Sequence, residues 1–265
     1  MTDLGNACSG LNAAEIDELR SIARLYRGAG GPIIKLSEYV GSKVEVTLKR
    51  FPGGGKKALE AMGGQALKAA YVAARASQGD VDAKTERGRA LASFKGEGWH
   101  RLAATVSGAV GGAGGFATTM GDLAVTTTLI LRSIQQIAES YDEDITEEEV
   151  RLRCLDVFGF GGPLAEDDEV ESGLFGVRLA VRGKTLETVV RAVLPRFGLA
   201  MGEKAAAQAV PIIGAVAGAA INHAFAGYYQ KMAHVQFRLR KLEAVHGMEQ
   251  VRACFERVDR GMRGR

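Results

Sequence analysis

Cysteine is scarce in this sequence, and its spacing is wrong for two classes of site. The three residues, Cys8, Cys154 and Cys254, are far apart, and no two of them form a CxxC pair. An odd number of widely separated cysteines argues against a disulfide framework and against a thiolate metal site. We therefore expect free thiols in a reducing, cytoplasmic setting. The N-terminus contains an early acid, Asp3, and no apolar run, so we expect no secretory signal peptide.

Net charge and aromatic content are also low. The formal net charge is +3 over 265 residues, aromatic residues make up 6%, and they do not interleave with the basic residues. A nucleic-acid binder concentrates basic residues on one surface, so nucleic acid is not an expected partner. With 46% hydrophobic residues, the chain can bury a substantial core. We expect an N-terminal helical region over residues 1–98 and a helical core over 99–265, packed as one unit.

The common catalytic motifs are absent from the sequence. No two histidines stand four residues apart, no HExxH or GxSxG motif occurs, and "GGGKK" at 53–57 lacks the first glycine and the hydroxyl residue of a phosphate-binding loop. Gly112, Gly114 and Ala117 match GxGxxA, but no strand–helix–strand pattern follows them. We therefore expect no metal and no cofactor, and a non-enzymatic function is favoured over an enzyme.

Glycine, by contrast, is abundant and clustered. The 35 glycines include clusters at 108–115, 159–162 and 214–218. Because a glycine inside a helix costs up to about 1 kcal/mol relative to alanine, such clusters indicate turns or close helix contacts. Gly214 and Gly218 have the GxxxG spacing with which two helices approach closely, and we predict that they pack against another helix.

Helical periodicity runs through most of the chain. Asn12 and Glu15 have the spacing of a capping box at the start of an amphipathic helix that ends at Gly28. A long apolar helix is predicted from about Asp122, and another begins at Thr146 with acidic residues in its first turn. No alternating strand pattern occurs, so the predicted fold class is all-α: a multi-helix bundle with glycine-rich, close-packed helical hairpins.

One uncharged stretch, "VPIIGAVAGAAINHAFAGYY" at 210–229, is long enough to cross a membrane. Alanine dominates the surrounding region, rather than leucine, isoleucine or phenylalanine, and the stretch contains an adjacent asparagine and histidine. We therefore predict a close-packed helical hairpin, with a membrane span as the alternative.

Four polar residues within apolar helices form the candidate polar site: Asp122, Arg132, Asn222 and His223. Buried polar groups are costly unless they are hydrogen-bonded or paired. We therefore predict a network in which Asp122 pairs with Arg132 and reaches the helix of Asn222 and His223. Simpler roles stay open: Asp122 as a helix cap, Arg132 as a surface residue, and Asn222 or His223 as a hydrogen-bonded core residue. No catalytic residue is assigned.

Several segments resemble the EcsC family of bacterial proteins, over roughly residues 99–252. They are "GDLAVTTTLILRSIQQIAESYDEDI", "CLDVFGFGG", "VPIIGAVAGAAINHAF" and "AHVQFRLRKLE". One departure is Asp142, at a position where the resemblance leads us to expect glycine. The resemblance implies an all-helical protein that is sometimes encoded beside an ABC exporter. It does not imply a defined reaction.

These observations leave three functional hypotheses. The first is a non-enzymatic accessory protein that meets an anionic membrane surface or an ABC exporter, in the cytoplasm or peripherally at the inner face of the cell membrane. The second is an enzyme or binding protein that holds a lipid-like apolar small molecule in the candidate polar site. The third is a scaffold whose acidic segments, 142–149 and 166–171, bind a basic partner. The resemblance and the basic C-terminal helix favour the first.

Overall fold

The computed structural model of the protein describes residues 7–29, 63–72, 116–160, 183–208 and 214–263. Within these ranges every residue lies in a helix or in a connection and none lies in a strand, which confirms the all-α prediction. The predicted boundary at residue 98 and the glycine cluster at 108–115 lie outside the described residues.

The helices, in chain order, are α1 (Ala13–Arg27), α2 (Phe116–Ser140), α3 (Glu148–Asp156), α4 (Leu186–Gln208), α5 (Gly214–His246) and α6 (Met248–Arg263). A 3-10 turn over Val157–Phe160 follows α3 directly, and residues 63–72 are also helical.

Helix α1 begins at the capping box that the sequence predicts. The Asn12 backbone N–H donates to Glu15 Oε2 at 2.8 Å, and the Glu15 N–H donates to Asn12 Oδ1 at 3.0 Å. Two backbone donors at the helix start are therefore satisfied reciprocally. The helix ends at Gly28, whose N–H donates to the Arg24 carbonyl at 3.0 Å. Both ends of α1 are thus determined by local sequence.

Helix α2 begins at Phe116, six residues before the predicted start. Asp122 therefore lies inside the helix, and the predicted cap role for Asp122 is wrong because an N-cap must precede the first helical turn. Helix α3 begins at Glu148 with Glu147 at its N-cap, so the predicted acidic first turn is confirmed and its start shifts by two residues.

The connection between α2 and α3 turns at Asp142, which has a φ of 66°. This left-handed conformation favours glycine, because a Cβ atom crowds the following carbonyl there, and aspartate is one of the few other residues that adopt it. The resemblance leads us to expect glycine at this position, and the backbone has the conformation that glycine prefers.

Helix α5 is the element on which most of the described fold is assembled. Helices α2, α1 and α6 all pack against it. Thr126 contacts Asn222 and, further along both helices, Ser133 contacts Gln230, so α2 and α5 run parallel. Helix α1 is antiparallel to α5, since Glu18 contacts Arg238 and the Gly28 carbonyl contacts Lys231. The chain passes from α5 to α6 at Gly247, whose φ of 81° permits a sharp turn.

An aromatic cluster lies between the 3-10 turn, α4 and α5. The ring of Phe158 lies 5.1 Å from that of Phe197 and 4.9 Å from that of Tyr229, and all three side chains are fully buried. The neighbouring Tyr228 hydroxyl donates to the Phe160 carbonyl at 2.8 Å, and burial raises the pKa of Tyr228. This cluster holds α5 against α4 and the 3-10 turn, and α5 also carries the buried polar residues Asn222 and Gln230.

Within the described ranges, no helix combines the length and the apolar character that a membrane crossing requires. The stretch 214–229 forms the first half of α5, and residues 210–213 lie outside the described residues. The surroundings of Gly214 and Gly218 are likewise outside the description, so their packing role stays a prediction.

Candidate functional site

A row of buried polar side chains, here called the polar seam, joins α2 to α5. It consists of Thr126 and Ser133 on α2, and Asn222 and Gln230 on α5, all of them buried. Asn222 Nδ2 donates to Thr126 Oγ1 at 3.2 Å, and Gln230 Nε2 donates to Ser133 Oγ at 2.7 Å. Residues seven or eight apart lie on nearly the same face of a helix, so the two bonds form successive steps along one interface.

The chemistry of the polar seam is neutral. Each bond joins a carboxamide to a hydroxyl, and neither group titrates near neutral pH. An activated serine or threonine needs an adjacent base, and the carboxamides of Asn222 and Gln230 cannot accept its proton. The two bonds of the polar seam therefore hold α2 against α5, and neither carboxamide provides a base for the hydroxyl that it contacts.

After α2 ends at Ser140, ionisable side chains make the contacts to α5. The Tyr141 hydroxyl and His234 Nδ1 share a hydrogen bond of 2.9 Å, and Lys241 Nζ lies 5.4 Å from the centre of the Tyr141 ring. Lys241 also pairs with Asp142 at 3.2 Å, and Arg240 Nε donates to Glu143 at 2.5 Å. Part of the predicted acidic segment 142–149 is thus paired within the chain.

Among the described side chains of the predicted site, those of Asn222 and His223 do not share one surface. Asn222 lies in the polar seam, whereas the adjacent His223 is exposed on another side of α5. This confirms the prediction that one of the two faces the interior. Arg132 is half-buried on α2; burial lowers its pKa, and the charge of Glu139 opposes that effect. The side chain of Asp122 lies outside what the structure describes.

The predicted direct pair between Asp122 and Arg132 is wrong for a backbone reason. Both residues belong to α2, and ten residues of helix correspond to a rise of about 15 Å. That separation exceeds the reach of one ion pair. The contacts that join the two helices come instead from Thr126, Ser133 and Gln230, which the sequence reasoning missed. The signal for Thr126 and Ser133 is their spacing of seven positions, which places two small hydroxyl residues on nearly the same face of α2.

The free thiol, Cys154, is unsuited to catalysis. It is fully buried on α3, and burial raises the pKa of its thiol. The nearby carboxylates of Glu143 and Asp156 shift it in the same direction. A reactive cysteine needs a stabilised thiolate and some exposure, so Cys154 is a core residue.

The other two cysteines form a disulfide. Cys8 and Cys254 are separated by 246 residues in sequence, and their Cα atoms lie 4.6 Å apart. The prediction of three free thiols is wrong for this pair. Spacing along the chain carries no information here, because the packing of α1 and of the segment before it against α6 is what brings the two cysteines together.

Charged pairs also fasten α1, one of them to α5 and another to α6. Arg238 donates to both carboxylate oxygens of Glu18 at 2.7 and 2.9 Å, and this pairing holds the pKa of Glu18 below its ordinary value. Arg27 donates to the buried carboxylate of Asp259 at 2.6 Å. The described residues contain no group of histidine, cysteine and acidic side chains that could hold a metal ion.

Comparison with known proteins identifies the family. The model of the EcsC protein family matches residues 56–242, which is more than half of the chain. The match includes the whole of the polar seam. Neither a curated protein nor a solved structure gives a significant match. The chain belongs to the EcsC family.

Proposed function

We propose that this EcsC-family member is a non-enzymatic accessory protein that docks on the inner, cytoplasmic face of the cell membrane, beside an ABC transporter. The transporter partner and the bacterial setting come from the resemblance, and the cytoplasmic location is an expectation from the cysteine pattern and the N-terminal sequence. The mode of docking comes from one surface of the described bundle, the turn between α5 and α6.

A non-enzymatic role is supported by the chemistry of the described polar residues. The polar seam consists of neutral pairs, His223 lies on another face, and the raised pKa of Cys154 disfavours its thiolate. An active site typically assembles an acid, a base or a nucleophile with a perturbed pKa in one cleft. The described residues offer no such assembly.

The observation that carries the docking proposal is the apolar turn, defined as residues 245–248. Val245 is 72% exposed and Met248 is 39% exposed, on either side of Gly247. Two large exposed apolar side chains within one turn indicate a surface that a membrane or a partner protein covers. Exposed Lys241 and Arg252 lie one turn before and after, where they can meet anionic headgroups.

The expected affinity follows from these four side chains. Full burial of valine or methionine contributes roughly 1.5–3 kcal/mol each, and a basic residue near an anionic leaflet contributes about 1 kcal/mol. Because Val245 is 72% and Met248 39% exposed, only those fractions are newly buried, and the gross gain is about 4–5 kcal/mol before the cost of association, which gives at most weak, reversible binding. Weak binding suits an accessory protein whose stable position needs a second contact, here the transporter.

Liposome flotation tests the docking proposal. We expect the purified protein to float with vesicles of phosphatidylcholine and phosphatidylglycerol, and to stay unbound with phosphatidylcholine alone. Val245→Gln with Met248→Gln should abolish flotation without changing net charge. Val125→Gln is the matched control, since Val125 is 52% exposed on α2. Absence of flotation for the unaltered protein, or an equal loss in the control, would refute the proposal.

A site for an apolar small molecule is the second candidate, and it rests on the buried carboxamide of Gln135 on α2. The Gln135 side chain is 4% exposed, and its Nε2 finds no hydrogen-bond partner among the described residues. An unsatisfied buried amide is costly, so a ligand acceptor would stabilise it.

Solvent extraction of the purified protein, followed by mass spectrometry, tests this second candidate. A bound lipid-like molecule should be present in the unaltered protein and lost in Gln135→Met. The neighbouring Gln136→Met is the control, since Gln136 is only half-buried. Recovery of no apolar compound from the unaltered protein would contradict a ligand role.

A further inference from the structure

The segment before α1 is fastened to α6 by a covalent bond and two hydrogen bonds. Cys8 is bonded to Cys254, and Gln250 Nε2 donates to the carbonyls of Ala7 at 3.2 Å and Ser9 at 2.7 Å. We call this arrangement the N-terminal clasp, comprising residues 7–12 with Gln250 and Cys254.

Both cysteines of the N-terminal clasp are buried, and Cys8 itself belongs to a short turn. Residues 7–10 form that turn, closed by the Leu11 N–H donating to the Cys8 carbonyl at 3.2 Å. Ser9 and Gly10 are exposed, and nothing lies within 4 Å of the position that a Cβ of Gly10 would occupy. Short exposed segments open locally at low free energy, without unfolding of the core.

The rest of α1 has its own attachments to the bundle. Arg238 binds Glu18, and Arg27 binds Asp259 through its side chain at 2.6 Å and its backbone carbonyl at 2.9 Å. Tyr26 packs edge-on against Phe255, with ring centres 6.1 Å apart. Opening of residues 7–12 therefore leaves these contacts in place, and α1 stays docked.

We propose that the N-terminal clasp is redox-controlled: thiol–disulfide exchange opens and closes residues 7–12 on α6 while the helical bundle stays folded. The setting of this inference rests on the proposed cytoplasmic location, where disulfides are usually transient or redox-sensing. Its chemistry stands on the geometry alone.

Closing needs an oxidant, which we name as a low-molecular-weight disulfide of the glutathione class. The thiolate of one cysteine attacks the disulfide and expels one glutathione thiolate, which leaves a mixed disulfide. The second cysteine thiolate attacks the protein sulfur of that mixed disulfide and expels the second glutathione thiolate. The two protein thiols lose two electrons and two protons, and glutathione disulfide takes up both. Opening is the reverse, with two molecules of reduced glutathione.

Cys154 provides an internal control. It is a free, buried thiol on α3 and is not bonded to either cysteine of the N-terminal clasp. After equilibration of the native full-length chain in oxidised glutathione, the protein is unfolded in alkylating reagent and weighed. We expect one alkylated cysteine. After equilibration in excess reduced glutathione without denaturant, we expect three. One alkylated cysteine in both buffers, or three in both, would overturn the inference.

Hydrogen exchange shows whether reduction of the disulfide opens only residues 7–12 or unfolds the whole bundle. On reduction, the amides of residues 7–12 should exchange at least about tenfold faster and lose their protection, whereas those of residues 19–27 should stay protected, because the reduced bundle is less stable but still folded. Loss of protection in both segments would show that the disulfide holds the whole bundle and would overturn the inference. Cys154→Ser should behave like the unaltered protein, and Cys8→Ser like the reduced one. Neither readout uses vesicles, so failure of membrane docking and failure of the clasp are distinguishable.

Discussion

The polar seam makes a quantitative prediction about the pair formed by Gln230 and Ser133. Both side chains are about 99% buried, and Gln230 Nε2 donates to Ser133 Oγ at 2.7 Å. Ser133→Ala removes the acceptor and leaves a desolvated amide donor, which should destabilise the protein by roughly 1–3 kcal/mol. The higher helix propensity of alanine offsets up to about 0.5 kcal/mol of that loss. Gln230→Met removes the donor at similar volume, and the Ser133 hydroxyl can turn to a helix carbonyl, so about 1 kcal/mol is expected.

The double variant Ser133→Ala with Gln230→Met removes both polar groups at once. Because the double variant lacks both groups of this hydrogen bond, its loss of stability should be smaller than the sum of the two single losses by about 1–2 kcal/mol. Urea unfolding of the four proteins measures this coupling, and the propensity effect of alanine cancels in the cycle. Gln136→Met, on the half-buried side of α2, serves as the control and should not couple to Gln230→Met. Additive losses for Ser133 and Gln230 would refute the polar seam as a coupled interface.

Three further predictions concern the ends and turns of the bundle. Asp142→Gly should raise stability by up to about 1 kcal/mol in thermal unfolding, because glycine relieves the left-handed backbone at φ 66° and the lost pair with Lys241 is exposed; a loss of stability would contradict this. Reduction of the Cys8–Cys254 bond, which closes a loop of 246 residues, should lower the free energy of unfolding by up to about 5 kcal/mol in urea, and an unchanged midpoint would count against it. The folded pKa of Glu18 lies below its ordinary value of 4.5, so the ionised carboxylate contributes fully to the free energy of unfolding above pH 4.5, and this contribution is lost as the pH falls below that value. Glu18→Gln should therefore make the free energy of unfolding fall less steeply between neutral and acid pH, and an unchanged slope would contradict this prediction.

The parts of the fold that sequence predicts are those with short-range causes. The capping box of Asn12 and Glu15 spans three residues, and Gly28 ends the same helix, so local chemistry suffices. Asn222 could be placed in the interior because an isolated amide in an apolar helix needs a partner. Its partner could not be chosen, since the parallel register of α2 and α5 comes from packing along the whole interface. The Cys8–Cys254 bond was missed for the same reason, as its two residues meet only after α1 docks.

At the start of α2, by contrast, local sequence signals suggest a helix boundary that the structure does not have. Asp122 has a residue type that caps helices, and the glycines before it suggest a break. The helix nevertheless continues back to Phe116 through Gly121. One glycine lowers helix stability by only about 1 kcal/mol, which flanking helical residues outweigh. A capping residue therefore indicates a possible boundary, and the neighbours decide whether the boundary forms.

The central claim is that the apolar turn enters a membrane surface, and an environment-sensitive fluorophore at Val245 tests it most directly. In the disulfide-bonded protein Cys154 is buried, so a dye attached to Val245→Cys labels one position. Addition of phosphatidylglycerol-containing vesicles should shift the emission to shorter wavelength and raise its intensity. The same dye on Val125→Cys, an exposed position on α2, should not respond. An unchanged spectrum at position 245, or an equal response at position 125, would contradict the proposed mode of docking.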